Sequence, residues 1–254
     1  MIDLKRDGAL AVLVFNRPQA LNAFDADALD AFEARLDELE GSDARALVLT
    51  GAGDRAFSAG ADIKELGVRG LPEVKAASLR GQAIGNRIER LPMPSIALIN
   101  GYALGGALEL ALCCTFRLAT SNAKLGFPEI KLGVCTGWGG TQRLPRLLRL
   151  PDALDLLMTG RTIDAAEAYR LGLVHSVVEG DALAAAGEFA QRFAGNSLLA
   201  MRYVRDAVTR APDLSLELGL KVENELSTLS YQSADAREGV AAFLEKREPR
   251  FVDE

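Results

Sequence analysis

The sequence predicts an α/β core followed by a helical C-terminal part. Three observations predict it. Short apolar, strand-like runs alternate with amphipathic helical stretches through the first half of the chain. Such alternation implies parallel strands with helices on the sheet faces. After Gly137 the strand signal nearly stops and helical patterns follow one another to the end. With 254 residues, 49% hydrophobic and 25% charged, the chain is long and apolar enough to bury a sizeable core. Residues 1–190 are expected to form the core that carries the candidate site, and residues 191–254 a helical C-terminal region.

The elements follow in order. Residues 10–16 (LAVLVFN) and 45–50 (RALVLT) read as strands. Between them, 25–40 reads as an amphipathic helix with acidic residues in its first turns, where they suit the helix dipole. Turns at Gly51, Gly53 and Gly60 follow, and a helix-like run begins near Asp62. Residues 72–91 read as a helix closed by Pro92 and Pro94. Residues 95–99 read as a strand, Gly105–Cys114 as a short helix, and 115–119 as another strand. Helices are then expected at 137–148, 151–159, 164–171, 181–194, 197–210, 213–229 and 233–246, with one strand at 173–178. No internal repeat or low-complexity segment stands out. The apolar stretch 95–116 has the length of a membrane span. Asn100-Gly101, Gly105-Gly106 and Glu109 interrupt it, so no membrane segment is expected.

Net charge −6 and a pI near 5.1 count against a general nucleic-acid binder. They leave room for a local basic patch facing a phosphorylated ligand. Cys113, Cys114 and Cys135 form no CxxC pair and no metal-ligand spacing. Two of them lie inside the apolar run, so free thiols in a reducing, cytoplasmic setting are expected. The N-terminal residues lack a signal-peptide pattern. His175 is the single histidine, which rules out a multi-histidine metal site. It lies in GLVHSVV and is expected on an edge strand.

Glu109 carries the strongest chemical signal. It is the only charged residue between Arg90 and Arg117. A lone carboxylate in apolar surroundings is costly or has its pKa pushed upward, and such groups either move protons or cap a neighbouring loop or pair with a distant Arg. It follows Gly105-Gly106, which open a helix, so the amide of Gly106 and the carboxylate of Glu109 could address one ligand. In AFSAGADIKEL, residues 56–66, small residues let a ligand approach the backbone. The GAG at 51–53, after the RALVLT strand, fails the dinucleotide fingerprint, because the third glycine position holds Ala56. In LGFPEIKLGVCTGWGGTQRLPRL, residues 125–147, Glu129 follows Pro128 at a turn. Alone it would be a surface carboxylate. Paired with Glu109 it could divide acid and base roles, provided the two environments differ.

NRPQALNAF, AFSAGADIKEL, NGYALGGALELA and FPEIKLGVCTGWGGTQRLPRL, in that order and spacing, resemble the crotonase family, the enoyl-CoA hydratases and isomerases. The resemblance covers essentially the whole chain. It implies a crotonase-like spiral core of ββα turns with a helical C-terminal trimerisation region, assembling as a homotrimer or a dimer of trimers. It implies an acyl-CoA thioester substrate whose carbonyl oxygen sits between the amides of Ala61 and Gly106. Glu109 and Glu129 match the two glutamates of hydratases, the first mainly as base, the second delivering a proton to Cα. Gln19, Ala20, Leu21, Ala59, Asp62 and Ile63 match segments that line the CoA nucleotide. Phe243 and Lys246 match C-terminal positions that reach a CoA, commonly across a subunit boundary. No metal or redox cofactor is implied, since CoA belongs to the substrate. Neither a nucleic-acid nor a membrane partner is expected.

Both glutamates are kept, which favours hydration of a 2-enoyl-CoA. Two alternatives stand beside it. One is a Δ3-Δ2-enoyl-CoA isomerase using Glu129 alone. The other is a non-catalytic interaction or RNA-binding protein on the same fold. The chain departs from the usual GxxPGAGGTQR of hydratases. Cys135-Thr136 replaces the pair ending in proline, and Trp138 replaces the small alanine. Trp138 stands either at the acyl end of the site or packed under the helix it precedes.

Overall fold

A computed structural model describes residues 1–66 and 70–254. The chain divides into two compact units, Met1–Ala190 and Gln191–Glu254. The first begins with β1 (Ile2–Asp7), β2 (Leu10–Phe15), α1 (Ala26–Glu40), β3 (Ala46–Gly51), β4 (Ala56–Ser58), α2 (Ile63–Leu66) and α3 (Leu71–Arg90). It continues through β5 (Ser95–Ile99), β6 (Tyr102–Leu104), α4 (Gly106–Leu112), β7 (Phe116–Thr120) and β8 (Lys124–Gly126). Then come α5 (Gly140–Leu147), α6 (Leu150–Thr159), β9 (Thr162–Asp164), α7 (Ala165–Leu171), β10 (Ser176–Val178) and α8 (Ala182–Ala194), whose last turn, from Gln191, belongs to the second unit.

Two sheets organise this unit. The larger has the order β1-β2-β3-β5-β7-β10, and the smaller β4-β6-β8-β9. In the larger sheet only the β1–β2 pairing is antiparallel. Strands β3 and β5 are buried at every position, as parallel strands covered on both faces must be. Their unbroken apolar composition follows from that burial.

Three times the chain leaves a strand of the large sheet, forms a three-residue strand of the small one, and enters a helix. The turns are β3–β4–α2, β5–β6–α4, and β7–β8 followed by a 3-10 helix at Pro128–Leu132. Strands β4, β6 and β8 pair in parallel, with Ala56 opposite Tyr102 and Leu104 opposite Gly126. Their C-terminal ends therefore release Gly60-Ala61, Gly105-Gly106 and Glu129 side by side. Ligands commonly bind at the carboxyl ends of parallel strands, where loops diverge.

The second unit carries α9 (Leu198–Arg210), α10 (Leu216–Tyr231) and α11 (Ala234–Glu245). Serines cap all three. Ser197, Ser215 and Ser233 accept from the N–H groups of Ala200, Leu218 and Ala236. The tail is pinned from within the unit, since buried Asp235 accepts from Val252 N at 2.7 Å and Asp253 accepts from Leu198 N at 2.7 Å.

Several expectations need correction. β1 and the whole small sheet were not anticipated. The small-sheet strands have three residues, too few to show a period of two, and the charged IDLKRD of β1 lacks a continuous apolar face. The helix expected from residue 137 starts at Gly140, because Gly139 turns left-handed at φ +114°. The strand expected over 173–178 shortens to Ser176–Val178. Among the described residues, no helix is long and apolar enough to cross a membrane.

Candidate active site

Gly105 takes φ +53° and caps α4, a short helix buried at all seven positions. Glu109 on its first turn is 1% exposed. Its Oε1 accepts two backbone N–H bonds, from Gly140 at 2.6 Å and Trp138 at 2.8 Å. The approach is so close that a Cβ on Gly140 would stand 3.1 Å from that oxygen. Burial raises the carboxyl pKa, while the N–H groups of Gly140 and Trp138 and the charge of Arg143 oppose the rise.

Glu129 is not the surface carboxylate its local sequence suggests. It is half-buried, and its Oε2 is buried without a hydrogen-bond partner among the described residues. Its carboxyl faces Gly105, where an added Cβ would come within 2.7 Å of Oε1. Burial pushes its pKa up to about 7, and the charge of Glu109 adds to the rise. The two carboxylates thus stand in different environments. Glu109 is held by fixed donors, and Glu129 is poised to carry a proton near neutrality.

The two predicted amide donors are neighbours. Gly60 takes φ +89°, and a Cβ there would meet Leu104 O at 2.6 Å and Gly106 N at 3.2 Å. On one side of Ala61, the carbonyl of Gly60 accepts from Phe24 N at 2.8 Å. On the other, Asp62 N donates to Phe24 O at 2.9 Å. Neither the Ala61 nor the Gly106 N–H finds an acceptor among the described residues. Two unpaired donors on adjacent turns are what a developing oxyanion requires.

The segments expected to line a nucleotide also meet. Gln19 and Ala20 lie in a 3-10 helix, and Leu21 caps it at φ 50°. The Leu21 carbonyl accepts from Ala59 N at 2.9 Å, which joins this segment to Ala59, Asp62 and the exposed Ile63. Buried Asn22 holds the junction, donating to Ala56 O at 2.7 Å and accepting from Arg17 N at 3.0 Å. Phe243 and Lys246 stand in the second unit. Phe243 is exposed on α11, and Lys246 ends that helix at φ 56°.

Trp138 is buried and packs under α4. A Cβ on Gly106 would meet its Cε3 at 2.8 Å, and Gly81 of α3 contacts the indole from another side. Its side chain thus packs against Gly106 of α4 and Gly81 of α3, not under α5, the helix it precedes, while its N–H serves Glu109. Sequence reasoning missed Arg143. Its Nη1 donates to Trp138 O at 3.0 Å, its Nε to Glu89 at 2.6 Å and its Nη2 to Asn86 at 2.8 Å. It thus braces the turn that holds Glu109. It lies inside GGTQR, so the signal was present, but nothing local said what it would reach. Asn100 was missed too, and it bridges Gly51 O and Gly53 O.

Cys113 and Cys114 are buried free thiols, and Cys135 is exposed. His175 immediately precedes edge strand β10, and its Nδ1 accepts from Arg117 N at 3.1 Å. Among the described residues, no three His, Cys, Asp or Glu side chains gather as a metal site would need.

Known proteins similar to this chain are numerous. A family model described as enoyl-CoA hydratase/isomerase matches residues 5–254. A short-chain-enoyl-CoA hydratase of Clostridium acetobutylicum is 39% identical over 246 residues, spanning 96% of this chain and 94% of that protein. A crotonyl-CoA hydratase of Syntrophomonas wolfei is 40% identical over 99% of this chain and 97% of its own. The crystal structure of an enoyl-CoA hydratase from Bacillus anthracis superposes with a TM-score of 0.95 at 36% identity, covering 100% of this chain and 99% of that one.

Proposed function

The chain belongs to the enoyl-CoA hydratase/isomerase family, and from that premise we propose that it hydrates short-chain 2-enoyl-CoA thioesters, crotonyl-CoA among them. The names of the two curated relatives support the substrate class. One observation carries the chemistry. Glu109, fixed by two amides, and Glu129, with an unpartnered buried oxygen, flank the Gly105-Gly106 turn.

The reaction runs as follows. The thioester oxygen accepts from the N–H groups of Ala61 and Gly106. Glu109 takes a proton from water, and the oxygen of that water bonds to Cβ. The Cα=Cβ electron pair moves toward the thioester, and the enolate charge falls on the oxygen held by the two amides. Glu129 gives its proton to Cα, and 3-hydroxyacyl-CoA results. The proton on Glu109 then returns to Glu129 through solvent. A carboxyl with a pKa of about 7 suits the donor role near neutral pH.

Gln19–Leu21, Ala59, Asp62 and Ile63 hold the CoA nucleotide. Phe243 and Lys246 reach it in a trimer or dimer of trimers. The exposed Leu216, Leu218, Leu220, Phe243 and Leu244 of the helical unit support such an assembly. CoA is consumed as part of the substrate, and the steps above call for no metal or redox group. The free thiols suit a cytoplasmic protein.

Turnover of crotonyl-CoA by the purified protein tests the proposal. Formation of 3-hydroxybutyryl-CoA, identified by mass, is expected. Migration of the double bond without water uptake would move the activity to the isomerase alternative. Salt-dependent RNA binding without CoA binding would move it to the non-catalytic one.

A further inference from the structure

Glu129 Oε2 and Thr136 Oγ1 are both buried, and neither has a hydrogen-bond partner among the described residues. Both residues line one cavity of about 40 Å³, whose walls include Phe127, Ile130, Leu157 and Thr141. That volume suffices for a water molecule, and a water there would have two polar atoms to bond among apolar side chains. Leaving either atom unpaired would be costly.

We propose that Thr136 is a positioning residue for Glu129, its hydroxyl and Glu129 Oε2 sharing one water bound in this cavity. The water accepts from the Thr136 hydroxyl and donates to the carboxylate. This fixes the rotamer that turns Glu129 toward Gly105. A donor on the carboxylate favours its ionised form, so the water offsets part of the rise that burial imposes. The other charged or titratable groups on the surrounding elements are Glu109 on α4, Lys131 on the same 3-10 helix and Cys135 beside Thr136. Arg143 and Arg146 lie on α5, and Asp152 and Asp155 on α6. Asp152 and Asp155 are paired with Arg149 and Arg161, and Arg143 with Glu89. Glu109 is the neighbour whose charge acts on Glu129.

The kinetic part rests on the hydration proposal, and the titration part does not. Thr136→Val keeps the shape and removes the hydroxyl, and Thr136→Ser restores it. In ligand-free protein labelled with ¹³C at glutamate carboxyls, Glu129→Gln assigns the Glu129 signal. Its midpoint should rise by about half a unit to one unit in Thr136→Val and return in Thr136→Ser, the scale of a water-mediated bond to a charged group. With crotonyl-CoA, kcat should fall roughly three- to tenfold in Thr136→Val while KM stays within about twofold. If Thr136→Val does not fold, Thr136→Ala carries the same comparison. An unmoved midpoint in the folded variant, or a shift that Thr136→Ser does not reverse, overturns the assignment. Wild-type protein that hydrates nothing but shows the shift would refute the function and keep the Thr136–Glu129 link. Hydration with an unmoved midpoint would do the reverse.

Discussion

The backbone N–H of Gly140 donates to Glu109 Oε1 at 2.6 Å, tying the first turn of α4 to the first turn of α5. Trp138 N adds a second bond to the same oxygen at 2.8 Å. Arg143 in turn holds the carbonyl of Trp138. One carboxylate is thus oriented by backbone that cannot rotate away. The other, Glu129, has no such restraint on Oε2. Under the proposed reaction, that difference in environment lets one of two otherwise identical side chains serve as base and the other as acid.

Glu109→Gln keeps an oxygen that can accept from Gly140 and Trp138, so the fold should survive. Glu129→Gln likewise keeps its volume. Each should lower kcat for hydration by roughly 10²–10⁴, the scale of a positioned acid or base. Affinity for a saturated acyl-CoA should change little. A Glu109→Gln enzyme that hydrates normally would remove the base assignment.

The pH profile follows from the same pair. Hydration needs Glu109 ionised and Glu129 protonated, so kcat/KM should be bell-shaped with its upper limb near pH 7. Because hydration consumes no net proton, dehydration should show the same bell. The limbs belong to the coupled pair. The folded pKa of Glu129 lies above its ordinary value of 4.5. Its contribution to stability is therefore fully present below about pH 4.5 and lost as pH rises through about 7. Glu129→Gln should remove both the upper kinetic limb and that slope of thermal stability. A flat profile from pH 6 to 9 would contradict the assignment of roles.

The strands of the large sheet were legible because burial on both faces makes them continuous apolar runs, as in ALVLTG and SIALI. Glu109 stood out because a lone charge in such a run either moves protons or caps a neighbouring loop, and it does hold the turn at Trp138 and Gly140. The small sheet was not legible, because AFS, YAL and KLG carry too few residues to show alternation. Yet that sheet places Gly60, Gly105 and Glu129 at equivalent points of three successive turns. No sequence repeat marks them, since the turns share backbone geometry and not side chains. The reach of Arg143 to Glu89 and Asn86, 54 and 57 residues away, and the cavity beside Thr136 depend on distant contacts and packing volumes, which local pattern does not encode.

Gly106 is the first residue of α4, a position whose N–H has no helical acceptor and which proline tolerates. Gly106→Pro should therefore delete one oxyanion donor while keeping α4. The added ring would press on Trp138, where a Cβ already meets Cε3 at 2.8 Å. The substitution is best read against a Trp138→Leu background. Hydration should fall by roughly 10²–10³ relative to Trp138→Leu alone. Circular dichroism reports whether the helices remain, and full activity in a folded double variant would end the oxyanion assignment.

Lys246 differs from the basic residue next to it. The guanidinium of Arg247 is engaged by Glu238 at 2.6 Å and by Glu245 at 2.6 Å. Lys246 pairs with no carboxylate among the described residues and ends α11 in the left-handed region. A mobile ammonium on a short exposed cap suits a phosphate, and Arg247 is already committed elsewhere. Lys246→Ala faces the same left-handed backbone as lysine does, so thermal stability should hardly change. KM for crotonyl-CoA should rise, by roughly three- to tenfold at low salt, and the effect should shrink at 0.5 M salt, where a Debye length of about 4 Å screens the contact. kcat should stay close to wild type, because the residue binds substrate and transition state alike. If that lysine acts across a subunit boundary, the active species is a trimer or hexamer by light scattering. Mixing Lys246→Ala with Glu109→Gln subunits then makes hybrid sites. Some pair an intact Glu109 with an intact Lys246 from the neighbour, and those should regain low-salt affinity. A fully active monomer, or a mixture showing no such recovery, would confine Lys246 to its own subunit.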